Sequence, residues 1–441
     1  MAYDLLSEPW IPVLDAGTDL DTAPDAPVRR RLVGLREAIA RAHEIREVAG
    51  DTPLETIALN RLLLALFLDV HDLSADGGPW CALWDAGRTD ADALGAYLDT
   101  HCDRFDLLHP ERPFYQTAQP LARDATTLSQ LRHAESAGNN GTLFGHEMDD
   151  QDRRLSLAEA ARSVVAYQAF GLGGLAGSAA TGGRLPAFRH APLVSGAVFW
   201  IRGRSLFQAL LLNAPPTDDV WIGAGNDEPA WGRDRPTSRS RPPEGLLDLL
   251  TWQARHVTLV LESRQAGAVN GPEPAAAGVY IANAESIDHD GVVDPMMARV
   301  MSKKKGVFPY GLRSERGVWR DADVLHHAAS PDAEGAPQTF RELAALALED
   351  DRLRGLVAVW TADVFGIEND KSKMLRWRHA RVPVYPALLG DPVRLAALRA
   401  ALEDADEQAT TGKHNLRFAT RTVAEYLLSP PPPGAKPDAT P

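Results

Sequence analysis

The sequence has few cysteines and no long apolar run, and these two absences exclude several classes of protein. Only two of its 441 residues are cysteines, Cys81 and Cys102, which is too few for a disulfide framework. No CxxC or Cys/His spacing surrounds them, so we interpret both as buried thiols in a reducing compartment. Residues 1–13 carry acids where a signal peptide needs positive charge. The longest apolar segment, residues 59–70, is interrupted by Arg61 and is too short to cross a bilayer. We therefore predict a cytoplasmic protein.

The sequence also lacks the motifs of common enzymes. GLGGLA at 171–176 fits the glycine spacing of a dinucleotide-binding turn, but that turn must follow a strand and here a helical pattern precedes it. We interpret it as a glycine loop that caps a helix, with glycine supplying a positive φ. His43 and His146 lack the second histidine of a zinc-binding helix. The acidic cluster at 149–152 suits either a cation or a solvated loop. The sequence predicts no catalytic residue, no metal and no cofactor.

Positive charge is scarce overall but concentrated at three places. The net charge is −14, which opposes non-specific coating of nucleic acid. Basic residues nevertheless cluster at 28–32, 298–306 and 371–381, and Trp377 lies within the third cluster. Arginine and lysine contact phosphates, and a tryptophan can stack on an unpaired base. Taken alone, each cluster is typical of a solvated surface, and Trp377 is typical of a side chain that anchors a core. Together with the glycine loop, they support a nucleic-acid interface equally well.

Hydrophobic periodicity predicts a mixed architecture of class α+β. Helical spacing covers 35–49, 51–73, 89–105, 156–170, 204–213, 338–350, 391–408 and a segment around 415–428. Residues 8–15 and a segment around 26–33 are predicted as short strands, and runs rich in β-branched and aromatic residues at 197–203, 255–262, 278–283 and 355–364 predict further strands. Because the chain is longer than one core usually serves, we predict a large mixed α/β domain over 1–382. A short C-terminal helical segment at 383–428 and a proline-rich tail at 429–441 follow it.

Several blocks, taken in order, resemble one family. They are LLSEPWIPV at 5–13, the helices of 35–67, HPERPFYQ at 109–116, NNGTLFGHEMD at 139–149, FGLGG at 170–174, FWIRGRSLFQALLLN at 199–213 and residues 294–325. The chain resembles the CasA family, the large subunit of the type I-E CRISPR surveillance complex Cascade, across nearly all of residues 1–382. The resemblance implies a subunit without catalysis of its own, which lies beside the 5′ handle of the guide RNA.

The same resemblance implies partners and a division of labour. The expected partners are the crRNA, target double-stranded DNA, the backbone, handle-binding and small subunits of Cascade, and a helicase–nuclease effector. The subunit is expected to recognise the protospacer-adjacent motif largely through the minor groove, to start strand separation and R-loop formation, and to recruit the helicase–nuclease. Base pairing with the guide then recognises the remaining sequence, and the degenerate code of the minor groove tolerates several motifs.

The family's functional positions transfer to particular residues of this chain. The glycine loop falls on Gly171, Gly173 and Gly174, and the minor-groove lysine is one of Lys303, Lys304 and Lys305. The strand-separating wedge matches Asn369, Asp370, Lys371 and Ser372, where Lys371 stands opposite the family's usual glutamine. A basic patch of Lys373, Arg376, Arg378 and Arg381 is then expected to hold the opened strands. Asn140 and Phe144 fall in the loop that the family places near the guide handle and the motif.

A second departure, after the lysine in the wedge, and two alternatives accompany this prediction. The family ends in a four-helix bundle, whereas here about two helices precede the proline-rich tail, so either the bundle is reduced or its missing part comes from another chain. A shortened bundle leaves an apolar face on Val393, Leu395, Leu398 and Leu402 that needs a partner. The first alternative is a stand-alone α/β enzyme with a metal site at 149–152. The second is a structural RNA-binding subunit that makes no contact with DNA.

Overall fold

The fold is taken from a computed structural model. The residues that the structure describes are 2–15, 29–71, 73, 77–118, 125–133, 154–174, 189–216, 227–233, 240–265, 272–287, 294–302, 306–312, 324–326, 335–349, 353, 359–370, 373–389 and 391–410. Among the helices of these ranges, none is both long and apolar enough to cross a membrane.

Helices and strands alternate irregularly along the chain, which confirms the predicted α+β class. The helices are α1 (Leu35–Ala40), α2 (Pro53–His71), α3 (Gly77–Ala86), α4 (Ala91–Thr100), α5 (Leu157–Phe170), α6 (Leu206–Leu212), α7 (Leu246–Leu250), α8 (Gln338–Glu349) and α9 (Pro392–Thr410). The strands are β1 (Ile11–Asp15), β2 (Arg30–Val33), β3 (Ile45–Val48), β4 (Leu155–Ser156), β5 (Val198–Ile201), β6 (Ser240–Arg241), β7 (Arg255–Gln265), β8 (Pro272–Asn283), β9 (Ser286–Ile287), β10 (Arg299–Ser302), β11 (Gly306–Pro309), β12 (Trp360–Asp370) and β13 (Lys373–Val384).

Helix α2 lies in the centre of the core. Its start is fixed by Thr52, whose hydroxyl accepts from the backbone N–H of Glu55 at 3.1 Å, and by Pro53 at the first helical position. Nearly every residue from Leu54 to Phe67 is buried, since the helix packs against α5, α6, α7, β12 and β13. A helix that is apolar on all sides is stable only inside a core.

The strands form small sheets, which are antiparallel except for the parallel pair β6–β9. Their strand orders are β2-β1-β3, β13-β12-β5 and β4-β8-β7, with the two-stranded pairs β10-β11 and β6-β9 beside them. The longest ladders are the hairpins β7–β8 and β12–β13. The second of these hairpins contains most of the basic cluster at 371–381.

Two sequence-based expectations are wrong. The predicted helix over 35–49 ends at Ala40, and Ile45–Val48 forms β3, because this segment pairs with β1 and buries Ile45 and Val48; the pairing partner outweighs the local helical pattern. The cysteines are not both buried: Cys102 is exposed and Cys81 is half-buried.

The structure describes only the first part of the predicted C-terminal segment. Helix α9 matches the first predicted C-terminal helix, with Leu395 buried, Leu398 and Leu402 half-buried and Val393 78% exposed. The second predicted helix and the proline-rich tail lie outside the described residues. The domain boundary after residue 382 stays a prediction.

Candidate nucleic-acid interface

The glycine loop begins where α5 ends. A capping box between Ser156 and Glu159 starts the helix, and Gly171 ends it with φ −58° and ψ 117°. Gly171 therefore does not adopt a positive φ, contrary to the prediction for a glycine that caps a helix. A Cβ at this position would lie 2.8 Å from the carbonyl oxygen of Tyr167, so the close approach of the backbone requires glycine here.

A buried arginine holds the glycine loop in place. Nη2 of Arg255 donates to the carbonyl oxygens of Gly171 at 3.0 Å, Leu172 at 3.0 Å and Arg189 at 2.6 Å. The residue is 1% exposed, and burial lowers the pKa of its guanidinium. One cation thus fixes three carbonyl groups of the loop and its return segment, and removing it would leave buried acceptors unsatisfied.

Two histidines flank the same loop in their neutral form. Nε2 of His133 lies 3.1 Å from the carbonyl oxygen of Phe170, and burial lowers the pKa of His133 to about 4. The backbone N–H of Gly173 donates to Nδ1 of His190 at 2.9 Å. Burial first, and then the charge of Arg255, lower the pKa of His190. Because Nδ1 accepts a hydrogen bond, this ring must carry its proton on Nε2.

A single stretch, residues 189–201, joins the glycine loop to two hairpins; we call it the connector segment. Near its start, the N–H of Ala191 donates to the carbonyl oxygen of Gly171 at 2.9 Å. Further along, the N–H of Ala197 donates to the carbonyl oxygen of Tyr310 at 2.7 Å, and Val198 bridges to Met297. Its last residues form β5, which pairs with β12 over four residues.

The first hairpin on the connector segment carries the predicted minor-groove lysines. Strands β10 and β11 pair from Arg299 opposite Pro309 to Ser302 opposite Gly306. Lys303, Lys304 and Lys305 join these strands and lie outside the described residues. The base of the hairpin is anchored in the core, because Arg61 of α2 donates to the buried carboxylate of Asp294 at 2.7 Å.

The second hairpin continues beyond its pairing with the connector segment. Strand β12 pairs with β5 only from Ala362 to Phe365, while β12 and β13 remain paired to Asp370 opposite Lys373. The five residues 366–370 span roughly 15 Å at the usual rise of a strand. Asn369 is half-buried and Asp370 is exposed at this end. Lys371 and Ser372, the other two predicted wedge residues, lie outside the described residues.

The predicted basic patch is divided between the two faces of β13. Lys373, Arg376 and Arg381 are exposed and Arg378 is half-buried. Side chains alternate along a strand, so Arg376 and Arg378 share one face and Arg381 lies on the other. The expectation of one continuous patch therefore needs correction. Arg376 also lies 3.3 Å from the carboxylate of Glu368 on β12.

The second face of the hairpin carries a buried carboxylate that the sequence did not associate with the basic cluster. Asp363 accepts from Arg202 at 2.7 Å, His379 at 3.0 Å and Arg381 at 3.2 Å. Burial alone would raise the pKa of Asp363, but the hydrogen bond from His379 and the charge and hydrogen bond of Arg202 outweigh it and lower the pKa to about 2. Arg202 also pairs with Glu47 at 2.8 Å. This face is therefore an internal ion network more than a phosphate-binding surface.

Two further predicted features, Trp377 and the basic cluster at 28–32, make contacts within the protein. Trp377 is half-buried and packs against the core, which favours its core interpretation over base stacking. The cluster at 28–32 is neutralised: Arg30 pairs with Asp51 at 2.6 Å, and Arg31 pairs with Asp15 at 2.8 Å. This cluster therefore loses its support as a nucleic-acid contact.

The remaining predicted positions belong to segments that the structure does not describe. Asn140 and Phe144 lie outside the described residues, as does the acidic cluster at 149–152. Within the described ranges, no group of three or more histidine, cysteine or carboxylate side chains could hold a metal ion.

Sequence reasoning missed the residues that organise this region. Arg255 follows Ala254 at the start of a strand, and no local pattern indicates that its side chain holds a loop 84 positions away. The one signal available is a charged residue at the head of an otherwise apolar strand pattern, which often marks a buried polar contact.

Comparison with known proteins decides the family. The family model for the CRISPR-associated protein Cse1 matches residues 4–432. A curated relative, CRISPR-associated protein CasA/Cse1 of Thermus thermophilus, is 31% identical over 96% of this chain and 78% of its own length. The chain belongs to the Cse1 family. This confirms the resemblance on which the residue assignments rest.

Solved Cse1 structures share the fold. The Cse1 of Acidimicrobium ferrooxidans superposes with a TM-score of 0.74 at 29% identity, covering 93% of this chain and 76% of that one. The Cse1 of Thermobifida fusca gives a TM-score of 0.77 at 25% identity, covering 93% of this chain and 79% of that one. A chain of a structure described as a CRISPR RNA-guided surveillance complex has a TM-score of 0.73 at 23% identity, and this likeness bears on the fold alone.

Proposed function

We propose that this Cse1-family chain is the non-catalytic large subunit of a type I-E CRISPR RNA-guided surveillance complex. In that complex it recognises the protospacer-adjacent motif in double-stranded DNA through the minor groove. It then promotes strand separation and the start of the R-loop, and it recruits the helicase–nuclease. Its partners are the crRNA, target DNA and the other Cascade subunits.

The observation that carries the proposal is the attachment of three elements to one connector segment. The glycine loop at 171–174, the hairpin that Lys303–Lys305 close and the hairpin that Lys371 and Ser372 close are all hydrogen-bonded to residues 189–201. A duplex lying across these elements would meet bare backbone and lysines together. Bare backbone suits the narrow minor groove, and lysines suit the phosphates that border it.

The projecting β12–β13 hairpin supports a role in opening the duplex. Its end extends beyond the sheet and is braced at its base by Asp363 and Arg202. In the family the wedge carries a glutamine; here Lys371 would act through phosphate attraction.

The test of recognition uses the assembled complex with Lys303, Lys304 and Lys305 all replaced by alanine. We expect target duplex binding to fall by at least tenfold while guide RNA remains bound, with the salt slope of log K reduced by about one per lost phosphate contact. A matched control replaces Arg30, Arg36 and Arg41, which are exposed but paired with carboxylates. It removes the same charge and should leave duplex affinity nearly unchanged.

The outcomes separate this function from its alternatives. Unchanged duplex affinity in the lysine variant would favour a structural RNA-binding subunit without DNA contact. Turnover of a substrate by the isolated chain that depends on the acids at 149–152 would favour an enzyme.

The test of strand opening replaces Lys371 with alanine. If the residue parts the first base pair, a target with an unpaired bubble beside the motif should bind the variant as well as it binds the natural chain. An equal loss of affinity on bubbled and fully paired targets would show that Lys371 does not act as a wedge.

A further inference from the structure

The structure also contains a cavity that has not been described above. It has a volume of about 640 Å³ and lies between residues 104–116 and residues 230–233. Ligand sites in proteins usually measure about 300–1,000 Å³. The block HPERPFYQ at 109–116 forms one wall, and neither recognition of the motif nor strand opening has used it so far.

Two arginines of this cavity share one distant carboxylate. Nε of Arg104 lies 3.7 Å from Oδ2 of Asp103, and Nη1 of Arg112 lies 3.8 Å from the same oxygen. Arg104 also donates to the carbonyl oxygen of Arg233 at 3.2 Å. Among the described residues, Arg112 makes no side-chain hydrogen bond. Both guanidinium groups therefore retain donors for an anion, and they are close enough to share one phosphate group.

The third arginine of the cavity is already neutralised. Arg233 pairs with Glu244 at 2.8 Å and with Asp248 at 3.3 Å, and it donates to the carbonyl oxygen of Glu228 at 2.8 Å. Arg233 therefore has less charge available for a ligand than Arg104 and Arg112 have.

The backbone around Arg112 is fixed by local hydrogen bonds. Nδ1 of His109 accepts from the N–H of Glu111 at 3.2 Å and of Arg112 at 3.0 Å, which closes a tight turn before Pro113. Three residues after Arg112, Tyr115 adopts φ 56°, the one non-glycine residue of the described chain with a positive φ. A buried Gln168 amide donates to its carbonyl oxygen at 3.2 Å and so supports this conformation. Backbone strain that the surroundings hold in place is concentrated at binding sites.

The remaining wall combines two largely buried aromatic side chains with one polar side chain. Phe114 and Trp231 line the cavity and belong to one aromatic cluster, in which Phe105 contacts both rings at 5.7 Å and 5.4 Å. Gln253, half-buried on the same wall, makes no hydrogen bond within the described part of the chain. Its amide has both donors and acceptors for the edge of a polar ring.

We propose that this cavity binds a nucleotide through a phosphate monoester. The phosphate lies between Arg104 and Arg112. Two guanidinium groups match the charge and the three acceptor oxygens of a phosphate monoester better than they match those of a single carboxylate. The base and sugar fill the remaining volume against Phe114 and Trp231, and Gln253 contacts the edge of the base. The phosphate comes either from a free nucleotide or from the 5′-phosphorylated end of a strand.

The test is isothermal titration calorimetry on the full chain with AMP, CMP, GMP, UMP, adenosine and inorganic phosphate. We expect saturable binding of at least one mononucleotide and at least tenfold weaker binding of adenosine and of inorganic phosphate. Arg112→Gln should weaken the nucleotide by about tenfold. Arg36→Gln is the matched control, since Arg36 is a similarly exposed arginine paired with Asp99 on the surface; it should leave the affinity unchanged.

Further arms identify the source of the phosphate and the result that overturns the proposal. Binding of a 5′-phosphorylated trinucleotide, lost on dephosphorylation, assigns the site to a strand end; binding of mononucleotides alone assigns it to a free nucleotide. The proposal is overturned if Arg112→Gln binds as well as the natural chain, or if no phosphate-bearing probe binds at millimolar concentration. Inorganic phosphate binding as tightly as AMP also overturns it, as does a glutamate-rich peptide binding in place of every nucleotide.

Discussion

The Nη2 atom of Arg255 lies 3.0 Å from the carbonyl oxygen of Gly171. This contact couples the first residue of β7 to the end of α5, and it makes the conformation of the glycine loop depend on a cation inside the core. Buried cations are costly unless they are well hydrogen-bonded. The geometry therefore indicates that Arg255 is a positioning residue, which holds the loop from inside the core.

Arg255→Met should impair DNA binding without direct loss of a DNA contact. The change removes a donor from three carbonyl groups, of which, among the described residues, only that of Gly171 keeps another, the N–H of Ala191. We expect a loss of unfolding free energy of about 3 kcal/mol, measured by urea denaturation. In the assembled complex, duplex affinity should fall by at least tenfold while guide RNA stays bound. Arg255→Lys keeps the charge but loses part of the fork of donors. Its duplex affinity should therefore lie between that of Arg255→Met and that of the natural chain. Full duplex affinity in a folded Arg255→Met complex would contradict the positioning role.

Gly196→Ala should displace the base of the lysine hairpin. A Cβ at Gly196 would lie 2.6 Å from Cβ of Pro309 and 2.8 Å from Sδ of Met297, so the hairpin must move. Overpacking of this kind costs about 1–3 kcal/mol. Gly311→Ala is the control, because a Cβ at Gly311 would meet no heavy atom within 4 Å. A thermal denaturation series should show the first variant destabilised and the second close to the natural chain; equal melting temperatures would argue against a tight base.

Duplex binding should weaken as the pH falls, because His190 must be neutral to accept from Gly173. Its folded pKa lies below the ordinary 6.5, since it is buried and close to Arg255. Stability that depends on the neutral ring is complete above 6.5 and decreases as the pH falls toward the folded pKa. His133, with a pKa of about 4, adds a change of the same sign. His190→Gln keeps an acceptor that does not titrate, so its duplex affinity between pH 7.5 and 5 should vary less; an unchanged pH profile would contradict this role.

Asp363→Asn should flatten the acid limb of the stability curve. The folded pKa of about 2 lies below the ordinary 3.8, so the carboxylate stabilises the fold at pH values above 3.8 and loses this effect as the pH falls toward 2. The difference corresponds to about 2 kcal/mol. The natural chain should therefore lose stability steeply between pH 4 and 2, and the variant less steeply although it is less stable at pH 7. Parallel curves for the two proteins would show that the ion network contributes little.

Much of the fold could be predicted from local patterns, but the contacts that position the interface could not. Helices α2 and α5 carry capping residues and long apolar periods, so their positions were predictable from the sequence. Strand β3 was missed because its stability comes from pairing with β1, which no local window contains. For the same reason, the sequence does not predict which basic residues are paired with carboxylates. Asp363 neutralises part of the basic cluster only because β12 and β13 pair in one register, and the acids opposite Arg30 and Arg31 come from other segments.

The most direct test of the account is site-specific cross-linking within the assembled complex. A target duplex carrying a photoreactive group in the minor groove of the protospacer-adjacent motif would be bound, irradiated and analysed by mass spectrometry. The account predicts cross-links to residues 171–174 and 303–305, and to 369–372 when the group is moved to the first base pair beside the motif. Cross-links confined to other surfaces, such as residues 28–32, with none to the glycine loop or the lysines, would contradict it.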